Sequence, residues 1–431
     1  MSFSRRTLLT TSAAGAAVAS LAPVAGALAA PQGPRLPEVF DKLKPLGDRV
    51  QPITVAEFQG RIALAQRLMS DAKPQFSGLY LTPGSSLYYF TGLRWGGGER
   101  LFSVVIPRKG DPLLVCPAFE EGRTRELLRW PIELRAWQED ESPYALIAKW
   151  LAERGMRSGR IGVNETTPFF FFDGLRKAAA GFEFASGDAV TVGCRGRKTS
   201  HELDLMRLAN EATVDVFRAV FASLCEGMTQ REVGGMISQG FGRMGLSGGA
   251  LALFGKWAAL PHGTTQPQRV APGDCVLLDG GGSVEGYAAD VSRTSCLGPA
   301  PDRLRHAFDT VRQAQDAALM AAQRGRTCGS VDDAARAVVA GAGYGKQYEI
   351  FTHRLGHGIG LDGHEHPYLV RGSKVLLDAG MTFSNEPGIY VKGEYGLRLE
   401  DIMAIEDGGP ARLLTPAFSE SLEKPCGDGR V

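Results

Sequence analysis

The chain has 431 residues, 44% of them hydrophobic and 22% charged, with a formal net charge of +1. That length suggests two or three domains of ordinary globular composition, and the near-neutral balance excludes the basic footprint of a nucleic-acid binder. Nothing after the first thirty residues is apolar enough, for long enough, to span a membrane.

The N-terminus differs from the rest. SRRTLL (Ser4 to Leu9) precedes a weakly apolar run without a charge, which ends in Ala27-Leu28-Ala29, a small-x-small cleavage pattern. With Arg5 and Arg6 in place, residues 1–29 are expected to be a twin-arginine signal peptide. This implies the twin-arginine export machinery as a partner of the precursor, a periplasmic or secreted mature protein, and no membrane anchor after cleavage. The alternative is an N-terminal helix of the mature fold, but nothing amphipathic organises the run. Seven cysteines are scattered without a C-x-x-C pair, and an odd number leaves at least one unpaired in a monomer. Folding before export also disfavours disulfides, so these are read as mostly buried apolar thiols.

Residues 30–55 form a Pro-containing lead-in. From residue 56, AEFQGRIALAQRLMSD has helical periodicity, and SGLYLTP, SLYYFTG, LFSVVIP and DPLLVCP are strand-like runs bounded by turn residues. A helix (PYALIAKWLAERG), a strand (RIGVNE) and a helix opened by Thr167-Pro168 follow. The four phenylalanines Phe169 to Phe172 are expected in the core or at a domain contact. This mixed α/β domain spans residues 56–196, and a second domain spans 197–425. Thr199 and Glu202 make a capping box for a long helix whose face is Leu205, Leu208, Ala212, Val216 and Ala219, with Gly227 as its stop. Thr229 and Glu232 start the next helix in the same way. Strands, two more helices and a strand-rich end complete the chain.

Five places in the second domain carry chemistry. The first is PHGTT, with His262. In VLLDGGGSVEGYAADVSRTS, Asp279 ends an apolar strand and Asp290 lies in the next one. The intervening glycines do not open onto a helix, as a nucleotide loop would; a hairpin turn over Gly280 to Gly286 fits better. Such a hairpin sets two aspartates side by side, where they repel unless one is protonated or a cation sits between them. The third place, HRLGHGIGLDGHEHP, holds His353, His357, His364 and His366, four of the seven histidines. Arg354 follows His353, which rules out the H-E-x-x-H helix. In MTFSNEPGIYV, Pro387 pushes Glu386 toward extended geometry. In GLRLEDIMAI, Arg398 and Glu400 share a face if the segment is a strand. Four carboxylates with at least one imidazole suit Mn²⁺ or another divalent first-row ion, and they suit two such ions better than one.

These motifs resemble, in type, order and spacing, the pita-bread metallopeptidases of the proline-directed branch: Xaa-Pro aminopeptidase (aminopeptidase P) and Xaa-Pro dipeptidase (prolidase). The resemblance covers the whole second domain and extends less sharply to the first, where SSLYYFTGLRWGGGERLF looks like the creatinase-type N-terminal domain. It implies an α/β (α+β) architecture, a creatinase-like N-terminal domain followed by a pita-bread catalytic domain. It implies two divalent ions, Mn²⁺ first and Co²⁺ or Zn²⁺ as alternatives, held by Asp279, Asp290, His357, Glu386 and Glu400. Asp290 and Glu400 would bridge the ions, and Glu386 would also be the general base. His262 and His364 would be substrate-side catalytic groups. His353, Tyr390 and Arg398 would shape a compact pocket for the proline ring, Arg398 either buttressing the cluster or meeting a substrate carboxylate. The implied partners are Xaa-Pro peptides and a second copy in a homodimer, with no nucleic acid. His366 is expected to be a loop residue, Glu365 structural, and His201 and His306 ordinary helix residues.

Relatives on the same fold offer other readings. Methionine aminopeptidases match only the second domain. Creatinase-like and binding-only members lose metal ligands, whereas all five positions are filled here. A metal-dependent sulfonium lyase carries an extra aspartate two residues after the first ligand, where this chain has Gly281. A non-proline hydrolase and a catalytically silent binding protein stand as the alternatives.

Overall fold

The structure, a computed structural model, describes residues 36–416 and 418–427. The leader expected over residues 1–29, with Arg5 and Arg6, lies outside the described residues. Two short 3-10 turns, Glu38–Lys42 and Gly47–Arg49, occupy the lead-in.

The first half contains α1 (Val55–Asp71), β1 (Gly78–Leu81), α2 (Ser85–Thr91), β2 (Ser103–Pro107), β3 (Leu113–Pro117), α3 (Glu121–Leu127), β4 (Glu133–Trp137), α4 (Pro143–Glu153), β5 (Gly159–Val163), α5 (Phe169–Ala178), β6 (Phe182–Ser186) and α6 (Asp188–Arg195). Thr54 and Glu57 close a capping box at the start of α1, and Ser142 with Pro143 opens α4. The strands form one mixed sheet in the order β4-β3-β2-β1-β5-β6. Every residue of β1, β2 and β3 is buried, as expected of strands covered on both faces. Tyr80, Val105, Val115, Ile147, Trp150 and Leu175 form the core beneath α4 and α5, each large apolar side chain contributing about 1.5–3 kcal/mol by burial.

Two expectations fail in this half. SLYYFTG is the helix α2, not a strand. Ser86 to Thr91 are all buried, so no polar face shows a helical period, and Gly92, at φ +71°, ends the element. In the phenylalanine run only Phe171 is fully buried; Phe169 and Phe170 are 74% and 50% exposed at the start of α5.

The second half contains α7 (Ser200–Phe221), α8 (Gln230–Arg243), β7 (Gly248–Phe254), β8 (Cys275–Val284), β9 (Tyr287–Ala288), β10 (Val291–Cys296), α9 (Asp302–Ala321), α10 (Cys328–Gly341), β11 (Gly356–Gly358), β12 (Glu365–Leu369), β13 (Thr382–Asn385), β14 (Gly388–Val391), β15 (Tyr395–Arg398), β16 (Asp401–Ala404) and β17 (Arg412–Leu413). Both expected capping boxes form, Thr199 with Glu202 and Thr229 with Glu232. The face Leu205, Leu208, Ala212, Val216 and Ala219 of α7 is buried throughout. That helix stops at Phe221 rather than at Gly227. The Ser223 hydroxyl donates back to the Ala219 carbonyl (2.8 Å), and Gly227 instead serves the turn into α8, donating its N–H to the Val270 carbonyl (2.8 Å).

The strands of this half make a sheet β10-β8-β7 with β9 attached, a sheet β12-β11-β13-β16-β17, and a ribbon β14-β15. Helices α7 and α8 pack on the first of these, and the α9–α10 pair reaches the second sheet and the ribbon. Leu277, Phe308, Val311, Phe351, Phe383, Leu397 and Met403 belong to the shared core. The hairpin after Asp279 turns later than expected. β8 runs on through Gly280 to Ser283, because β7 lies close against it with Ala250 opposite Gly280 and Gly248 opposite Gly282. The turn itself is Glu285-Gly286, both at positive φ (48° and 87°), the pairing a two-residue hairpin favours. All seven cysteines are free; Cys225 is exposed and Cys296 partly so. No helix among the described residues is long and apolar enough to cross a membrane.

Candidate metal centre

The two sheets of the second half meet at Ser292. This residue of β10 lies opposite Asp279 of β8 and makes an isolated antiparallel bridge to Glu400. The Glu400 N–H donates to the Ser292 carbonyl (3.0 Å), and the Thr294 hydroxyl donates to the Arg398 carbonyl (2.9 Å). The seam therefore carries Asp279, Glu400 and Arg398 to one place. Asp290 is delivered two residues before Ser292, in the link between β9 and β10 rather than within a strand.

The other two groups come from the second sheet. Glu386 directly follows β13, and its N–H donates to the Leu355 carbonyl (3.0 Å). His357 is the middle residue of β11, squeezed between β12 and β13. A Cβ on Gly356 would lie 2.0 Å from the Ser384 carbonyl oxygen, and one on Gly358 would lie 2.6 Å from that of Glu365, so both flanking positions need glycine.

The expected ligands converge. The ligand atoms of Asp279, Asp290 and Glu400 (carboxylate oxygens) lie within 4.8 Å of one another, as do those of His357, Glu386 and Glu400 and those of Asp290, His357 and His364, where each histidine offers a ring nitrogen. His357 Nε2 lies 3.3 Å from Glu386 and 3.9 Å from Asp290. Its Nδ1 faces the Gly358 carbonyl (3.1 Å), which can only accept, so Nδ1 carries the proton and Nε2 turns a lone pair toward the carboxylates. Burial, and then the stacked His364, push the His357 imidazole down to about 3, so it is neutral.

The charges fit a divalent cation. Burial pushes Asp279 up, but Arg398 and the Ser292 hydroxyl outweigh it and hold that carboxyl below its usual range. For its neighbours, burial and mutual repulsion prevail over the pull of Arg398. Burial and then Asp279 raise Asp290 to about 7. Burial, opposed by Arg398 and reinforced by Asp279 and Asp290, raises Glu386 to about 8, and burial and the other carboxylates raise Glu400 well above its usual range. Four carboxylates here stay ionised together only when positive charge joins them. Oxygen donors with one presented imidazole lone pair suit a divalent first-row ion.

The cleft above the cluster encloses about 470 Å³ and is lined by His262, His353, His364, Arg354, Tyr348 and the cluster itself. His353 has both ring nitrogens engaged: Nδ1 donates to the Arg354 carbonyl (2.8 Å), and Nε2 accepts from the Tyr390 hydroxyl (2.7 Å). Tyr390 accepts from Arg398 Nη1 (2.7 Å), whose Nη2 donates to Asp279 (2.6 Å) and whose Nε donates to Ser292 Oγ (2.9 Å). Arg398 thus spends its donors on Asp279, Ser292, Tyr390 and, at 3.4 Å, the Pro261 carbonyl. His364 is exposed and stacks on His357 at 3.7 Å between ring centroids, and His262 is exposed at the rim. His366 sits on β12 rather than on a loop, beside Tyr368 and away from the cleft. Glu365 pairs with Arg195 and Lys198.

Residues 204–407 match the metallopeptidase family M24, and residues 61–196 match the creatinase/prolidase N-terminal domain. The chain is 34% identical over 339 residues to an Xaa-Pro dipeptidase of Lactobacillus delbrueckii subsp. lactis, covering 77% of this chain and 90% of that protein. The chain belongs to metallopeptidase family M24. It is a metal-dependent peptidase with a creatinase-type N-terminal domain and a pita-bread catalytic domain. A probable dipeptidase PepE of Mycobacterium tuberculosis is 34% identical over 354 residues, 81% of this chain and 92% of that one. Among solved structures, dipeptidase PepE from Mycobacterium ulcerans superposes with a TM-score of 0.77 at 32% identity, covering 84% of this chain and 97% of that one. A prolidase from Thermococcus sibiricus gives 0.75 at 30% identity, covering 83% and 96%.

Several residues of the site went unassigned from sequence. Ser292 touches Asp279, Glu400 and Arg398, and its position two residues after Asp290 on an extended segment was the available signal. Beneath it, the fully buried Arg293 donates to the Glu400 carbonyl (2.7 Å) and to Asp401 (2.6 Å). The Asp332–Arg336 pair of α10 grips the segment before His357. Asp332 accepts the Leu355 N–H (2.9 Å), and Arg336 donates to the carbonyls of Gln347, Phe351 and His353. Nothing local in the sequence marks those contacts, which cross from a helix to a distant loop.

Proposed function

We propose that the protein is a dinuclear Xaa-Pro dipeptidase, with Asp279, Asp290, His357, Glu386 and Glu400 holding two divalent ions, Mn²⁺ by preference. The observation that carries the proline reading is the engaged His353 ring. It lines the cleft next to the cluster with no free nitrogen, so it offers a ligand only carbon surface. An Xaa-Pro bond has no N–H to satisfy, and its ring needs apolar contact. The names of the relatives support the dipeptidase form over the aminopeptidase.

When bound, the two ions would acidify an attacking water and polarise the scissile carbonyl. Glu386 takes the proton of that water and returns it to the proline nitrogen as the C–N bond breaks, so water adds OH to the acyl carbon and H to the ring nitrogen. Its carboxyl is held by the Ser384 hydroxyl (3.1 Å), which fixes its orientation. His364 accepts from Arg354 at Nδ1 (3.4 Å), which leaves Nε2–H to donate to the oxyanion of the tetrahedral intermediate. His262 lines the same cleft. The Tyr390–Arg398–Asp279 chain keeps His353 neutral and oriented.

The test is kcat/KM of the Mn²⁺-loaded protein on Ala-Pro, Ala-Ala and Ala-Pro-Ala. Cleavage of Ala-Pro, with the other two much poorer, is the expected result. Equal rates on Ala-Pro and Ala-Ala would remove the proline specificity, and preference for the tripeptide would make the protein an aminopeptidase.

A further inference from the structure

His364 is weakly held by its own half of the molecule. Its side chain is exposed, and there it has the stack on His357 and one long hydrogen bond from Arg354 (3.4 Å). A Cβ placed on the preceding Gly363 would meet nothing within 4 Å, so the loop is not packed in place there. The residues on either side are gripped from elsewhere. Arg195, the last residue of α6, donates from Nη2 to Asp362 (2.5 Å) and to Glu365 (2.6 Å). Its Nη1 reaches the Ser86 hydroxyl (3.1 Å), and Ser85 donates to the second oxygen of Asp362. Lys198 donates to the second oxygen of Glu365 (2.5 Å).

The side chains of Arg195, Lys198 and Glu365 are 9%, 3% and 10% exposed, whereas Asp362 is 43% exposed, so the Glu365 contacts are the sheltered ones. A guanidinium shared between two carboxylates has defined geometry, and its buried pairing with Glu365 resists screening. A pair on the open surface would be worth little.

We propose that Arg195 is a positioning residue for the reaction. Through Asp362 and Glu365 it fixes the loop that carries His364, so the N-terminal domain sets the place of a substrate-side group in the catalytic domain. This rests on the reading of His364 given above. A shift of about 1 Å in such a group costs on the order of a hundredfold in rate.

The test is a double-mutant cycle in the full-length, Mn²⁺-loaded protein on Ala-Pro, with Arg195→Ala, His364→Ala and the pair. Arg195→Ala is expected to lower kcat by about ten- to a hundredfold with KM moved less than about threefold, metal content unchanged, and Arg195→Lys recovering part of the loss. In the His364→Ala background, Arg195→Ala should have no further effect. If Arg195→Ala unfolds the protein, Asp362→Ala, on the exposed loop, runs the same cycle with the same expected result. Losses that multiply in the double variant, with His364→Ala itself slow, overturn the positioning role and leave the His364 reading intact. Full activity in His364→Ala overturns both.

Discussion

The floor of the cleft and its rim are built by different means. On the floor, Asp279, Glu400, His353 and Arg398 have hydrogen-bond partners that fix their orientation, and the Ser292 seam joins two sheets there. On the rim, His262 and His364 are exposed and come from loops. Groups that keep charge in a buried place need neighbours that answer every lone pair. Groups that meet a substrate need open space, and their precision has to come from outside the cleft.

The comparison is broken most severely at the residue that serves both purposes. Glu386→Gln keeps the shape of the floor but cannot carry the proton, so kcat should fall by about a thousandfold or more with little change in melting temperature. Wild-type turnover in that variant would remove the general-base role. On the rim alone, His262→Asn should lower kcat by about ten- to a hundredfold while metal affinity, measured by competition with a chromogenic chelator, stays unchanged. On the floor alone, Ser292→Ala should weaken metal affinity by about ten- to a hundredfold, because Asp279 and Glu400 lose a shared orienting hydroxyl. Equal metal affinity in the Ser292 and His262 variants would erase the distinction.

A smaller effect concerns pH. Without ions, Asp290 and Glu386 are raised to about 7 and about 8, by burial first and then by neighbouring carboxylates, from about 4 in an unfolded chain. Below about pH 6.5 the buried neutral His353 and His357, pushed down to about 3, act in the opposite sense, so it is between about pH 6.5 and pH 8 that the folded chain binds more protons than the unfolded one and stability falls as pH rises. The metal-free protein should melt several degrees lower at pH 8.5 than at pH 6.5, and divalent ions should flatten the slope. A melting temperature that rises over this range in the metal-free protein would contradict the crowding of carboxylates.

The floor was largely legible in the sequence because its parts are periodic or paired. Two aspartates across a hairpin, an extended Asn-Glu-Pro and an Arg-x-Glu on one face all follow from strand geometry. α2 was misread because a helix buried on every side shows no helical period. The hairpin turn was misplaced because the glycines of β8 serve close strand approach rather than the bend. Ser292 stands two residues after Asp290 on an extended segment, but its contact with Glu400 and those of Arg293 with Glu400 and Asp401 cross 107 or 108 residues, and the Asp332–Arg336 pair reaches over 11 to 23 residues to a segment without periodicity. The hold of Arg195 on Asp362 and Glu365 crosses 167 and 170 residues and is visible only in the fold.

The most direct test of the dinuclear centre is equilibrium dialysis of the full-length, chelator-stripped protein against Mn²⁺, with hydrolysis of Ala-Pro followed in parallel. Two ions per chain are expected, with activity absent in the stripped protein and restored on binding. Asp290→Asn and Glu400→Gln, at the positions expected to bridge, should each weaken both ions together. A single ion per chain, or full activity in the stripped protein, would contradict it.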